Sequence, residues 1–175
     1  MPSALVRPLD KLTLTPHVMR RPRVSRYDPL QTGVNVTQPH TENLSPYAAT
    51  TRNITVSVQP YFLEDQSVPD ADHFVWAYHV RIRNNGRETV RLLTRHWVIT
   101  DSKGHLHEVR GEGVVGKQPV LRPGETFEYA SGTPLATPSG MMMGSYQMQS
   151  ESGESFDIAI PAFSLDSPHN RVVVH

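Results

Sequence analysis

The stretch GEGVVGKQP, residues 111–119, contains three glycines with the Gly-x-Gly-x-x-Gly spacing of a turn that holds the phosphates of a dinucleotide. In that turn the third glycine opens an α-helix whose amino end faces the pyrophosphate. Here Pro119 and Pro123 follow closely, so no helix of useful length can begin. The sequence therefore argues against a Rossmann-type nucleotide site. It predicts instead that these glycines permit a positive φ or a close backbone approach at a bulge in a strand: Gly111, Gly113 and Gly116.

A narrower phosphate interpretation survives for the same loop. Successive glycine amides can form a nest for an anion, and Lys117 and Arg122 bring positive charge close in sequence. Pyrophosphate or nucleotide-anion binding, or a phosphohydrolase activity, is therefore one alternative function. Because Val114 and Val115 stand between glycines, we also expect at least one of them to anchor the loop inward.

Two histidines in GHLHE, His105 and His107, stand two residues apart. On a strand both side chains leave the same face, and Glu108 points to the opposite one. Paired imidazoles contribute to divalent-metal sites, but such a site needs at least a third ligand from another strand. We favour a solvent-facing polar row beside a hairpin turn, and we keep divalent-metal binding as a second alternative.

Two other features carry weaker chemical signals. Ser131 in YASG lacks the strained elbow of a hydrolase nucleophile, and the triad chemistry needs an oriented histidine and acid that a sequence does not reveal. The run from Met141 to Met143 suits packing at a sheet edge, although exposed methionines also make an adaptable binding face. The sequence therefore identifies no catalytic residue and no cofactor.

Alternation of apolar and polar residues from Asn53 onward predicts β-strands. In HFVWAYHVRIRN, residues 73–84, the alternation places Trp76 and Tyr78 on the core face of a central strand. Tight turns are predicted at NNG, DSKG and RPGE, and RVVV at 171–174 reads as a closing strand. Seven or eight short strands with no helical stretch between them predict an all-β fold, an antiparallel β-sandwich with an extended N-terminal arm.

Composition divides the chain near residue 50. Residues 1–50 hold seven of the fifteen prolines and carry six basic against three acidic side chains, without a sustained apolar period. They predict a flexible, basic, proline-rich arm that precedes one β-sandwich domain over residues 51–175. We therefore expect a chain that begins near Thr50 to melt within a few degrees of the full one.

The balance of charge and the lack of cysteine exclude several classes of partner and site. The 175 residues carry 17 basic and 17 acidic side chains, so no general attraction to nucleic acid or to an anionic membrane is expected. No apolar run approaches the roughly 18 residues of a membrane span. The absence of cysteine rules out disulfides and zinc–thiolate sites and suits the reducing cytoplasm.

The glycine stretch also belongs to a longer pattern. The runs RNNGRETVRLLTRHWVITDSKG, VRGEGVVGKQPVLRPGETFEYASGTPLATPSGMMMGSYQM and FDIAIPAFSLD closely resemble the ApaG family over about residues 51–175. This resemblance implies a fibronectin-type-III-like or immunoglobulin-like β-sandwich. Bacterial members are linked by genetics to cobalt tolerance and magnesium efflux, and related eukaryotic domains occur in F-box proteins and in a polymerase-interacting protein. The family brings no agreed catalytic residues.

These observations together favour a non-enzymatic binding or adaptor protein of the cytoplasm. We expect a protein partner, with a divalent cation as a further ligand to test. Neither a nucleic acid nor a membrane is expected as a partner, because the net charge is zero and no apolar span is present.

Overall fold

A computed structural model describes residues 47–169 of the chain. The closing strand predicted at 171–174 and all but the last four residues of the predicted arm lie outside this range. Residues 47–169 form nine strands, and β2 and β3 are joined by two short 3₁₀ turns, Glu64–Gln66 and Pro69–Ala71. The strands are β1 (Tyr47–Thr51), β2 (Ile54–Phe62), β3 (Phe74–Asn84), β4 (Val90–Asp101), β5 (Leu106–Glu112), β6 (Val120–Leu121), β7 (Thr126–Leu135), β8 (Ser139–Ser150) and β9 (Ser155–Asp166).

The strands form two antiparallel sheets that face each other, which confirms the predicted β-sandwich. One sheet has the order β1-β2-β3-β7, and the other has the order β5-β4-β8-β9, with the short β6 beside the first part of β4. β1 and β2 pack against β9 along one edge of the sandwich, and β7 and β5 are the outermost strands at the other. Among residues 47–169, no helix is long and apolar enough to cross a membrane.

Aromatic side chains from both sheets meet in the core. Trp76 and Tyr78 are buried on β3, an interior strand, as the alternation predicts. The ring of Trp97 on β4 lies 5.3 Å from that of Tyr78 and 6.0 Å from that of Phe163 on β9, measured between centroids. The second contact is edge-on, a favourable arrangement for two aromatic quadrupoles.

Two strands were not anticipated, so the count of seven or eight is too low. β6 contains only two residues. β1 begins at Tyr47, so the sandwich includes the last four residues of the range assigned to the arm. The two-residue turn at Arg52 and Asn53, both with positive φ, folds β1 onto β2, and the Tyr47 hydroxyl lies 2.8 Å from Oγ of Ser164 on β9. Tertiary pairing therefore orders a segment whose own alternation is weak.

The methionine run corrects a second expectation. It lies on β8, which has neighbours on both sides, β4 and β9, and is therefore not a sheet edge. Met142 points into the core and is fully buried, whereas Met141 and Met143 emerge on the outer face. The alternation along an interior strand produces this division.

Candidate functional site

The glycine loop, defined here as residues 113–119, leaves the edge of β4 between two paired strands. Glu112 at the end of β5 is opposite Thr94, and Val120 at the start of β6 is opposite Arg91. The loop thus connects two strands that are separated by only two residues of β4, and residues 115–118 at its tip are exposed. The register of β4 against β8 shifts between Leu92 and Thr94 at the same level, so the predicted bulge lies on β4 and not in the strand from His105.

The tip of the loop is a two-residue hairpin turn. The Val114 amide donates to the Lys117 carbonyl (2.8 Å), and the Lys117 amide donates to the Val114 carbonyl (2.9 Å). The two central residues, Val115 and Gly116, have φ values of 44° and 77°, as in a type I′ turn. Val114 is fully buried, which confirms the expected inward anchor, while Val115 is exposed.

Two features require glycine at position 113: a positive φ and the close approach of the Lys117 backbone. The φ of Gly113 is 57°, and a Cβ at this position would lie 2.2 Å from the Lys117 carbonyl oxygen. Its amide donates to the Leu93 carbonyl (2.8 Å). No side chain fits here, because the blocking atom belongs to backbone that is itself hydrogen-bonded. The positive φ predicted for this stretch is confirmed at Gly113 and Gly116.

Gly111 has a different role, because it makes room for Arg95 on the neighbouring strand. A Cβ at residue 111 would lie 3.0–3.1 Å from three atoms of the Arg95 guanidinium. The Arg95 Nη1 donates to the carbonyls of Glu112 and Gly113, each at 2.9 Å. Arg95 thus holds the base of the glycine loop. The sequence interpretation missed it, although the five-residue step from buried Leu92 to buried Trp97 breaks the period of two and signals the bulge.

The predicted anion nest uses amides that already have acceptors. The amides of Gly113, Val114 and Lys117 donate to backbone carbonyls of the same chain. The two basic side chains belong to different turns. Lys117 closes the hairpin turn, whereas Arg122 opens the RPGE turn, and its Nη1 lies 4.0 Å from Oε1 of Glu125. The nest therefore stays a prediction with few free donors to support it.

His105 and His107 are placed in different surroundings. His105 lies just before β5, where its Nδ1 is 2.9 Å from Oδ2 of Asp101 and its amide donates to Oδ1 of the same carboxylate. Partial burial raises the pKa of Asp101, but hydrogen bonds from His105 and Lys103 outweigh it and bring the pKa below its usual value. His107 lies within β5 and is exposed. Within residues 47–169, no three His, Asp or Glu side chains are grouped to hold a metal ion.

A charged cluster occupies the outer face of the same sheet. The Glu108 Oε2 accepts hydrogen bonds from His96 Nε2 (2.8 Å) and Arg110 Nη2 (3.1 Å). These two hydrogen bonds, the one from His96 first, lower the pKa of Glu108. Glu108 and His107 thus lie on opposite faces of β5, as the alternation in GHLHE predicts. Glu108 is on the outer face, however, whereas His107 lies opposite buried Ile99 on the inner face, so the favoured row of solvent-facing histidines is not formed on the outer face.

Ser131 is not part of a catalytic triad among residues 47–169. It lies on β7, half-buried, opposite Tyr78 of β3. No hydrogen bond joins it to a histidine or a carboxylate of the described chain. The structure therefore adds no support for a hydrolase, in line with the missing elbow in the sequence.

An apolar surface lies beside the charged cluster, and we call it the methionine face. Pairing places Leu106 and Met141 on either side of Thr100, and Met143 beside Val98, all on the outer side of the five-stranded sheet. Leu106 is 58% exposed, Met141 47% and Met143 43%. The methionine face is defined as Val98, Leu106, Met141 and Met143.

Comparison with known proteins relates the chain to one group. The family model of the ApaG domain matches residues 64–150. Protein ApaG of Parvibaculum lavamentivorans is 63% identical over 129 residues, 74% of this chain and 99% of that protein, and Protein ApaG of Paramagnetospirillum magneticum is 65% identical over 71% and 96%. A crystal structure of a Bordetella pertussis protein named ApaA is 47% identical, covers 72% of this chain and 98% of that one, and superposes with a TM-score of 0.65.

Proposed function

Because the chain belongs to the ApaG family, we propose that it is a non-enzymatic module that binds a partner protein on the methionine face. The observation that carries this proposal is the meeting of three exposed large apolar side chains, Leu106, Met141 and Met143, on one sheet face. Apolar side chains exposed together mark interaction surfaces more often than singly exposed ones do.

The composition of the face suits recognition of a protein. Methionine is flexible and polarisable, so Met141 and Met143 can adapt to an irregular apolar surface. The neighbouring carboxylate of Glu108 lies beside Val98 and is held by His96 and Arg110. An apolar centre with a polar border is the usual composition of a protein interface.

The proposal includes the cellular context that the family resemblance implies. We infer that the module acts in the cytoplasm and affects cobalt tolerance and magnesium efflux through a partner that handles the ion.

The experiment compares immobilised wild-type protein with two variants as baits in a native lysate. Met141→Glu together with Met143→Glu places charges on the methionine face. Tyr61→Glu is the matched control, because Tyr61 is an equally exposed apolar residue, 54%, on the other sheet. We expect proteins captured by the wild type and the control to be lost from the double variant, and equal capture by all three would refute the proposed face.

The two alternative functions have their own measurements. Calorimetry with cobalt and magnesium should give the same weak signal for wild type and for the His105→Ala, His107→Ala double variant. A micromolar affinity that disappears in that variant would establish the metal function instead.

Titration with ATP, NAD and pyrophosphate should leave the amide resonances of residues 111–117 unchanged, and saturable shifts there would establish the anion nest.

A further inference from the structure

Arg95 is a half-buried cation whose charge no carboxylate neutralises within the described chain. Arg52, Arg81, Arg110 and Arg122 each lie within 4.0 Å of a carboxylate oxygen in the described part of the chain. Arg95 instead places its Nη1 against two backbone carbonyls. A guanidinium removed from water without a counter-charge is costly, so an anion that reaches it gains a strong, charge-assisted interaction.

The remaining donors of Arg95 form an open fork. Nη1 supplies the two hydrogen bonds to the chain, and no described residue accepts from Nε or Nη2. Neither of these nitrogens is among the buried, unsatisfied atoms of residues 47–169, so both reach solvent. Adjacent Nε–H and Nη2–H groups match the two oxygens of a carboxylate.

The fork is held in place before any ligand arrives. The carbonyls of Glu112 and Gly113 fix Nη1, and the missing side chain of Gly111 lets the guanidinium lie against the β5 backbone. A side chain already locked by the fold loses little conformational entropy on binding. This geometry distinguishes Arg95 from Lys117 and Arg122, which are exposed on turns.

The neighbourhood of Arg95 contains hydroxyl groups that stay neutral. Tyr146 is the cross-strand partner of Arg95 on β8, and its hydroxyl is hydrogen-bonded to that of Tyr129 on β7. Burial, as the largest cause, raises the pKa of both tyrosines well above the usual value. No tyrosinate therefore forms near neutral pH to neutralise the guanidinium.

We propose that Arg95 binds a carboxylate at the edge of the sandwich between β5 and β7. The ligand is a monoanion, because one guanidinium fork matches one carboxylate and the other nearby basic residues lie on separate turns. The carboxylate comes either from a small organic acid or from a peptide, and the bidentate contact is the same in both. This site is separate from the methionine face, and it does not depend on the proposed protein partner there.

The test follows the side-chain Nε–H resonance of Arg95 in the full chain by NMR. Sodium acetate, sodium phosphate and sodium chloride are titrated at equal ionic strength. We expect a saturable shift with acetate alone, with a dissociation constant of about 1–10 mM for so small a ligand. An acetate effect no larger than that of chloride overturns the site, and phosphate binding as tight as acetate overturns the choice of a carboxylate.

Two further arms identify the residue and the source. Arg95→Lys should abolish acetate saturation, monitored at the backbone amides of Glu112 and Gly113, whereas Arg122→Lys should retain it. If Arg95→Lys fails to fold, the wild-type Nε–H titration decides alone. The source is identified with N-acetyl-Gly-Gly and with the same dipeptide blocked by a C-terminal amide. If the free dipeptide binds more tightly than acetate and the amide does not bind, the ligand is a peptide carboxylate. If the free dipeptide and acetate bind equally tightly, the ligand is a small organic acid. Binding of the amide form as tightly as the acid overturns the proposal.

Discussion

The guanidinium of Arg95 occupies the space that a side chain on Gly111 would need. A Cβ at residue 111 would lie 3.0 Å from Nη1 and 3.1 Å from Cζ and Nη2. The first glycine of the Gly-x-Gly-x-x-Gly pattern thus admits an arginine of the same chain. Backbone geometry explains Gly113 and Gly116, and the space needed by the Arg95 side chain explains Gly111.

Gly111→Ala should displace the Arg95 guanidinium and weaken its hydrogen bonds to the Glu112 and Gly113 carbonyls. Because a flexible side chain can move aside, we expect a modest loss, about 1–2 kcal/mol of unfolding free energy in urea. The matched measurement is a double-mutant cycle with Arg95→Gln. Strictly additive losses would show that Gly111 and Arg95 do not depend on each other.

Gly113→Ala and Gly116→Ala separate two costs that glycine avoids. Both positions have positive φ, but a Cβ on Gly116 meets nothing within 4 Å, whereas on Gly113 it meets the Lys117 carbonyl at 2.2 Å. Gly116→Ala should therefore cost only about 1 kcal/mol, from the backbone conformation. Gly113→Ala should cost about 3 kcal/mol, because backbone must also move. Equal losses in chemical denaturation would contradict the close approach.

Val115→Asn should stabilise the protein. Val115 is a β-branched, exposed residue with φ of 44° in the first central position of a turn where asparagine is preferred. We expect a gain of about 1 kcal/mol in urea unfolding. Val120→Asn, at an equally exposed position on β6, is the control and should give no gain. A destabilised Val115→Asn protein would mean that the valine makes contacts worth more than its strain.

Removal of β1 should lower the melting temperature, which revises the expectation for a chain that begins near Thr50. β1 pairs with β2, and the Thr51 hydroxyl accepts a hydrogen bond from the Ala159 amide at the edge of β9. A chain that begins at residue 53 should melt about 5–15 °C lower than one that begins at residue 45. The longer of the two should match the full chain within about 3 °C. Calorimetry that finds all three alike would show that β1 contributes nothing to stability.

Glu108 should titrate below its ordinary pKa of 4.5, because His96 and Arg110 hydrogen-bond its charged form. A carboxyl with a lowered pKa in the folded state stabilises the fold above its unfolded pKa, and that contribution is lost as pH falls through the folded value. His96→Ala should raise the titration midpoint of Glu108 toward 4.5, and NMR of the side-chain carboxyl carbon measures that midpoint. His107→Ala, on the opposite face of β5, is the control and should leave the midpoint unchanged. An unaltered midpoint in His96→Ala would exclude that hydrogen bond in solution.

The sequence alone was sufficient for the architecture and for part of the loop. Alternation in HFVWAYHVRIRN placed Trp76 and Tyr78 on the core face, because side chains on a strand alternate whatever their partner. The prolines after Gly116 excluded a helix, since their restricted φ and missing amide act locally. Positive φ at Gly113 and Gly116 followed from the same local reasoning.

Only the tertiary structure decided which residues meet. Arg95 and Gly111 are neighbours because β4 pairs with β5 in a register shaped by a bulge, and a bulge moves a side chain to the other face without changing its identity. The interior position of β8, which carries the methionine run, and the pairing of β1 with β2 likewise depend on neighbouring strands. Local chemistry is contained in the sequence, but contacts between distant residues arise from strand pairing, which no single strand specifies.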